Sequence, residues 1–327
     1  MKSKIRWGIV GPGKIAREFA NDLIQVPDSE LTAVGSRNKQ RAKLFAETYQ
    51  ISHVFDDYTK LFESDVVDVL YIATPHNFHK DLAIRAMQAG KHILCEKPLG
   101  INAKEVEEMI TVAREEKVFL MEALWSRFNP TIKKVKALSD NGELGTLKYV
   151  NADFAFYALD RPMESRLFNL DLAGGTILDI GIYPVFLAYL FLGKPERIEA
   201  ISNFNEIGTE IQTSIIFQYK DAQAILNSSF VNTSRMSAEI GGTDGNVTLE
   251  PRFHETQGYQ IKTVQKNEKV LLPTVGKGYA YEIIEVNKCL RENKLESSLW
   301  SHINSMELIT LLDSVREKSG VRFPFEN

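Results

Sequence analysis

At 327 residues the chain exceeds what one compact core usually holds, which favours two domains of about 100 to 200 residues each. A hydrophobic share of 44%, a charged share of 25% and a net charge of -4 exclude the broad basic footprint of a nucleic-acid or membrane-surface binder and leave small-molecule chemistry as the expectation. The two cysteines, Cys95 and Cys289, stand far apart with no histidine at ligand spacing, so neither a disulfide framework nor a metal site is expected. No signal-peptide pattern and no apolar run of roughly 18 residues is apparent, which points to a cytoplasmic protein without a membrane span.

In chain order, short β-branched runs first alternate with amphipathic helical patterns. IRWGIV precedes a helix over 14–23, LTAVGS one over 40–49, VVDVLYIAT one over 78–89 and HILCE one over 103–116; VFLME closes the series. That alternation predicts βαβ units around a doubly wound parallel sheet of Rossmann type. Ligands of such sheets bind at the carboxyl ends of the strands.

The first strand-to-helix turn reads Gly11-Pro12-Gly13-Lys14-Ile15-Ala16, a G-x-G-x-x-A motif. Gly11 permits the tight turn, Gly13 lets backbone approach a pyrophosphate, and Ala16 allows close packing of helix on strand. The N-terminus of the helix, at Lys14 and Ile15, offers free N–H groups and partial positive charge to phosphates. After the second strand an acidic residue would hold the ribose 2′-hydroxyl of NAD, but the chain has Ser36-Arg37-Asn38, with Arg41 one helical turn on. Ser36 can donate a hydrogen bond and the arginines can pair with a 2′-phosphate, so NADP is favoured, with NAD possible.

Beyond Glu122 the pattern changes. Asn129 and Pro130 predict a helix start, and strands then dominate: TLKYVNADFAFY, RIEAISNF, EIQTSIIFQY, AQAILNSSFV, SAEIGG and NVTLE. An apolar helical pattern over 183–192 interrupts them, and helices over 279–291 and 302–318 end the chain. The expectation is a Rossmann domain over 1–123 and an α+β domain over 124–327 with a large, mainly antiparallel open sheet, whose exposed face suggests a homodimer.

Thr74-Pro75-His76-Asn77-Phe78-His79, Glu96-Lys97-Pro98 and Asp179-Ile180-Gly181-Ile182-Tyr183, with the glycine motif, resemble the Gfo/Idh/MocA oxidoreductase family. The likeness is greatest to its dihydrodiol dehydrogenase and NADP-dependent xylose dehydrogenase branch, through Met121 to Pro130, Gly174 to Tyr183 and Gly320 to Pro324. The resemblance implies hydride transfer between a nicotinamide and a CH–OH or carbonyl of a sugar, polyol or trans-dihydrodiol, and homodimerisation through the second domain. It implies that Lys97 is the catalytic lysine and that Thr74, Pro75, His76 and His79 lie along the nicotinamide and its ribose; Glu96 and Lys97 are counted with them as cofactor contacts, and Glu96 either fixes the loop or pairs with a cation. For His79, capping of the following helix is an equal alternative.

In much of the family the last position of the Asp179 motif is histidine; here it is tyrosine. An unperturbed phenol titrates near ~10, so Tyr183 needs a cation such as Lys97 to act as the acid-base group at neutral pH. Asp179, four residues earlier, flanks the same turn if the helix starts near Gly181, and either orients Lys97 or binds a substrate hydroxyl. Trp125, Arg127 and Phe154 are candidate substrate contacts, with packing between domains the alternative for Trp125. A non-catalytic NAD(P)-binding regulator is the competing function, since the fold also binds cofactor without turnover.

Overall fold

The computed structural model describes residues 4–326. In chain order it begins β1 (Ile5–Val10), α1 (Lys14–Leu23), β2 (Ser29–Gly35), α2 (Lys39–Tyr49), β3 (His53–Phe55), α3 (Tyr58–Glu63), β4 (Val69–Ile72), α4 (His79–Gln88), β5 (His92–Glu96), α5 (Ala103–Glu115) and β6 (Leu120–Ala123). These strands form one parallel sheet in the order β3-β2-β1-β4-β5-β6, the doubly wound Rossmann arrangement. β3 and α3 had no counterpart in the sequence pattern. The strand is only three residues long, with two of them exposed, so it carries no periodic signal.

The chain continues with α6 (Pro130–Asp140), β7 (Leu147–Ala155), α7 (Ile182–Leu192), β8 (Arg197–Phe204), β9 (Glu210–Gln218), β10 (Gln223–Ser229), β11 (Ala238–Gly242), β12 (Gly245–Leu249), β13 (Gly258–Thr263) and β14 (Asn267–Leu271), then α8 (Ala280–Arg291) and α9 (His302–Ser319). Asn129 caps α6 with its side chain, accepting from Thr131 N at 2.8 Å, and Pro130 takes the first helical position. The second sheet runs β14-β13-β12-β11-β7-β10-β9-β8, antiparallel except where β10 lies parallel to β7. β13 and β14 are strands beyond those expected.

The stretch Leu170–Leu192 is 23 residues long and apolar enough to cross a membrane by length and composition, which the expectation of no such run had missed. It is a core segment: 83% of its apolar window is buried, and α7 packs on β7 and β10. Short 3-10, π and α turns follow one another along it, so the sequence pattern showed only its last part.

The chain divides into two compact units. One holds Met1–Phe128 with Val275–Met306, the other Asn129–Thr274 with Glu307–Asn327. Residues 275–306, placed by sequence in the second domain, thus return to the first. The reason is a set of buried polar anchors. The Asp22 carboxylate at the end of α1 accepts from the backbone N–H of Lys277 (2.9 Å), Gly278 (2.8 Å), Tyr279 (2.7 Å) and Ala280 (3.3 Å), the donors that α8 leaves unsatisfied at its start. Further along α8, the Asn287 amide accepts from Trp7 Nε1 at 3.1 Å and donates to Ser29 Oγ at 2.8 Å.

Asp22→Ala strands those four donors in a buried setting and is expected to cost about 2–4 kcal/mol. A calorimetric Tm equal to that of the parent protein is the result that contradicts this account.

Candidate active site

β1 delivers the chain into a turn in which Gly11 has φ +88°, a conformation that favours glycine. A Cβ on Gly11 would stand 2.9 Å from the Thr74 methyl and 3.2 Å from Ala73 O, so glycine is required by space as well as by torsion. Gly13 precedes α1, and a Cβ there would meet nothing within 4 Å: open space lies beside the helix N-terminus, where a pyrophosphate could approach. Pro12 and Ala16 are buried, while Lys14 and Ile15 are exposed on the first turn of α1.

After β2, Ser36 is buried and its Oγ accepts from Asn38 N at 3.1 Å, so its oxygen helps to shape the turn. Arg37 and Arg41 are exposed. The Arg37 guanidinium lies 5.0 Å from the centroid of the Phe78 ring. Both arginines also lie close enough to Tyr58 to favour its ionised form, against the burial that pushes the phenol up. This end of the sheet therefore carries positive charge and no carboxylate in the Ser36 turn, the chemistry a 2′-phosphate needs.

Thr74, Pro75 and His76 leave β4 at the same sheet edge. Thr74 Oγ1 is buried with no hydrogen-bond partner among the described residues, an orphaned polar atom beside the glycine turn. The expected cofactor contact by His79 takes another form. His79 is fully buried at the start of α4, with its ring nitrogens 2.9 Å from Pro98 O and 2.9 Å from Thr74 O. It braces the Thr74 loop against the Lys97 loop, and burial pulls its imidazole down despite those carbonyls. The alternative of helix capping is not seen either, since both nitrogens face these two loops.

Lys97 follows β5, and its peptide bond to Pro98 is cis. Two buried carboxyls back it. Glu96 accepts from Lys97 N at 3.2 Å and, through its other oxygen, from the hydroxyl of buried Tyr71. Glu122, on neighbouring β6, accepts from Leu99 N (3.0 Å), Trp300 Nε1 (3.0 Å) and Ser305 Oγ (2.8 Å). Burial pushes the Glu122 carboxyl up, while these hydrogen bonds and the charge of Lys97 oppose that shift. Glu122 was invisible as a site residue because it reads as one position in a strand; the register Cys95↔Glu122 is what brings it beside the Lys97 loop.

Trp125 and Arg127 lie in a short 3-10 turn after β6. Trp125 is 5% exposed and stacks on Tyr279 at 4.6 Å with a 10° interplanar angle, so much of its ring is spent on packing within its own unit.

In the second unit, Asp179 and Tyr183 flank the start of α7, as expected of a helix that begins near Gly181. Asp179 sits in a π turn, Ile177–Gly181, and α7 begins at Ile182. The turn is fixed from below by buried Glu210, which accepts from Thr176 N (2.7 Å), Thr176 Oγ1 (2.5 Å), Ile177 N (3.1 Å) and Thr213 Oγ1 (2.6 Å). Asp179 is paired with Arg166, whose guanidinium donates at 3.0 and 3.5 Å to the two carboxylate oxygens. Tyr183 is 5% exposed and packs against Phe154 of β7 (5.6 Å between ring centroids) and His254 (5.1 Å). Phe154 and His254 themselves stack at 4.3 Å. Arg166 and His254 were not foreseen. Neither stands in a motif, and only the fold gathers them around Asp179 and Tyr183.

Residues 5–124 match the family model described as an oxidoreductase family with an NAD-binding Rossmann fold, and residues 132–248 match the GFO/IDH/MocA C-terminal domain. The chain is 35% identical over 337 residues to trans-1,2-dihydrobenzene-1,2-diol dehydrogenase of Mus musculus, covering 98% of each protein. It is 32% identical over 326 residues to scyllo-inositol 2-dehydrogenase (NADP(+)) of Bacillus subtilis (strain 168), again covering 98% of both. Among solved structures, a 3-ketoreductase from Actinomadura kijaniata in complex with NADP and TDP-benzene superposes with a TM-score of 0.87 at 27% identity, over 97% of this chain and 98% of that one.

Proposed function

The chain belongs to the GFO/IDH/MocA family of NAD(P)-binding oxidoreductases, and on that premise we propose that it is an NADP-dependent dehydrogenase that reversibly oxidises a secondary or anomeric hydroxyl of a small sugar, inositol or trans-diol. The observation that carries the cofactor part is the pairing of an open space at Gly13 with exposed Arg37 and Arg41 beyond a turn that lacks a carboxylate.

Gly11, Gly13 and the first turn of α1 hold the pyrophosphate, Ser36, Arg37 and Arg41 the 2′-phosphate, and Thr74 to His76 the nicotinamide side, where the orphaned Thr74 hydroxyl gains a partner. The bound nicotinamide supplies the hydride acceptor or donor. The protein's own part is the proton. Lys97 donates to the substrate oxygen and stabilises negative charge as it develops there, and Tyr183 takes up or returns the hydroxyl proton. Arg166 orients the Asp179 carboxylate, four residues before Tyr183, through its ion pair. Phe154 and His254 form an aromatic wall next to Tyr183 that suits the apolar face of a sugar ring or diol.

Nicotinamide absorbance, followed with NADP and NAD over a panel of aldoses, inositols and trans-diols, tests the reading; cofactor binding with no turnover on any of them favours the regulator. Arg37→Ala is expected to weaken NADPH by about tenfold to a hundredfold, the worth of a charge-assisted contact, and to leave NADH nearly unchanged. Equal losses for both cofactors contradict a phosphate contact.

A further inference from the structure

The segment that carries Asp179 and Tyr183 departs from regular helix, for the π turn Ile177–Gly181 runs directly into α7 at Ile182. A π turn holds one residue more than an α turn, is rare, and is found frequently at functional sites. Here it sets the aim of two motif residues against each other. Relaxing it to α-helix would slip the residues that lead into α7 by one position and turn them by up to about 100° about the helix axis relative to Tyr183.

Strands of the second sheet hold this turn at both ends. At its start, one oxygen of buried Glu210, the first residue of β9, accepts from Thr176 N and Ile177 N, and the other accepts from the Thr176 and Thr213 hydroxyls. The network continues outward: Thr176 Oγ1 lies 2.7 Å from Ser228 Oγ of β10, and Thr213 Oγ1 2.6 Å from Ser202 Oγ of β8. With both threonines donating to the carboxylate, the two serines can donate to the threonines, so every hydroxyl in the chain points toward Glu210. Glycines keep the fit close. A Cβ on Gly175, where φ is +128°, would stand 3.1 Å from Glu210 Oε2, and one on Gly181 would stand 3.1 Å from Ser228 Oγ and 3.3 Å from Thr176 O.

This is more than a helix start needs. The free N–H groups there are ordinarily met by a short local side chain, as Asn129 does for α6. At the π turn the acceptor instead comes from a strand 34 residues away and is a buried carboxyl, which burial pushes up while its hydrogen bonds oppose that shift. We propose that Glu210 is a positioning residue for the reaction, one that locks the π turn in register and so fixes where Asp179 and the Tyr183 hydroxyl point. The inference rests on the assignment of Tyr183 as the proton carrier.

Glu210→Leu fills the space but strands the donors and frees the turn. Assayed well below its Tm, the folded variant is expected to lose about a hundredfold in kcat, the consequence of misplacing a reacting group by about 1 Å. Its NADPH affinity should stay within about threefold of the parent value, because Gly11, Gly13 and Arg37 belong to the other unit. Glu210→Gln keeps one oxygen for the two backbone donors, and its amide can donate to Thr176 and Thr213 once their hydroxyls rotate, so it should recover kcat to within about fivefold of the parent. Hydrogen exchange over residues 177–183 should be faster in Glu210→Leu than in the parent or Glu210→Gln. Thr176→Val removes one donor and the link to Ser228 but leaves both backbone donors; it is expected to lower kcat about tenfold, and it serves as the test if Glu210→Leu does not fold.

A lowered Tm with the parent's kcat, in Glu210→Leu or Thr176→Val, would make the cluster purely structural and overturn the proposal. So would a Glu210→Gln variant as slow as Glu210→Leu, or exchange over 177–183 that no variant alters. Full turnover in Tyr183→Phe would instead defeat the assignment of Tyr183, while hydrogen exchange, measured without turnover, still reports whether Glu210 holds the turn.

Discussion

Lys97→Met is expected to lower kcat by about a thousandfold, with NADPH affinity within about threefold of the parent value. Methionine keeps most of the length of the side chain and removes only the ammonium, so the loss isolates the charge. Its magnitude follows from what the loop is built to do. Glu96 and Glu122 place two buried carboxyls around Lys97, and His79 fixes the loop from behind through Pro98 O. The backbone that carries Lys97 is fixed in this way, and removing one preorganised stabiliser of developing charge typically costs a factor of about 10²–10³ in rate. Cofactor binding by fluorescence titration and single-turnover kinetics separate the two effects. Loss of NADPH binding in parallel with rate would make Lys97 a cofactor ligand; unchanged turnover would remove it from the chemistry.

The second large effect is expected for Tyr183→Phe, which should reduce kcat by about 10²–10⁴-fold, the usual worth of a positioned acid-base group. The substitution leaves the ring in its contacts with Phe154 and His254, so Tm should stay within a degree or two of the parent. Loss of rate with folding and NADPH affinity intact identifies the hydroxyl as the proton carrier. If the variant turns over normally, the aromatic wall is a packing feature and the proton must leave by another group. Measuring both variants and their double mutant resolves whether the ammonium and the phenol act as a unit, because residues that share one step are strongly non-additive.

The sequence disclosed the parts of this protein whose cause is local. Gly11 is legible because a tight turn with positive φ needs glycine wherever it occurs, and the β1–α1 and β2–α2 alternation is legible because a buried parallel strand and an amphipathic helix have different hydrophobic periods. The Ser36-Arg37 turn likewise shows its missing carboxylate without any coordinates. Together these determined the Rossmann unit, its cofactor edge and, with the Lys97 and Tyr183 motifs, the class of chemistry.

Other features belong to tertiary structure alone. In AYEIIEVNKCLR, Glu282 and Glu285 look like the solvent face of a helix, yet both are buried. What buries them is the return of residues 275–306 to the first unit, drawn there by Asp22 and Asn287. The pairing of Arg166 with Asp179, the placing of His254 beside Tyr183 and the approach of Glu122 to the Lys97 loop are of the same kind. A periodic pattern records which face of an element is apolar. It carries no record of which distant charge will be shut in with another, and that choice is made only when the chain packs, by the demand that each buried charge find a donor, a partner or a proton.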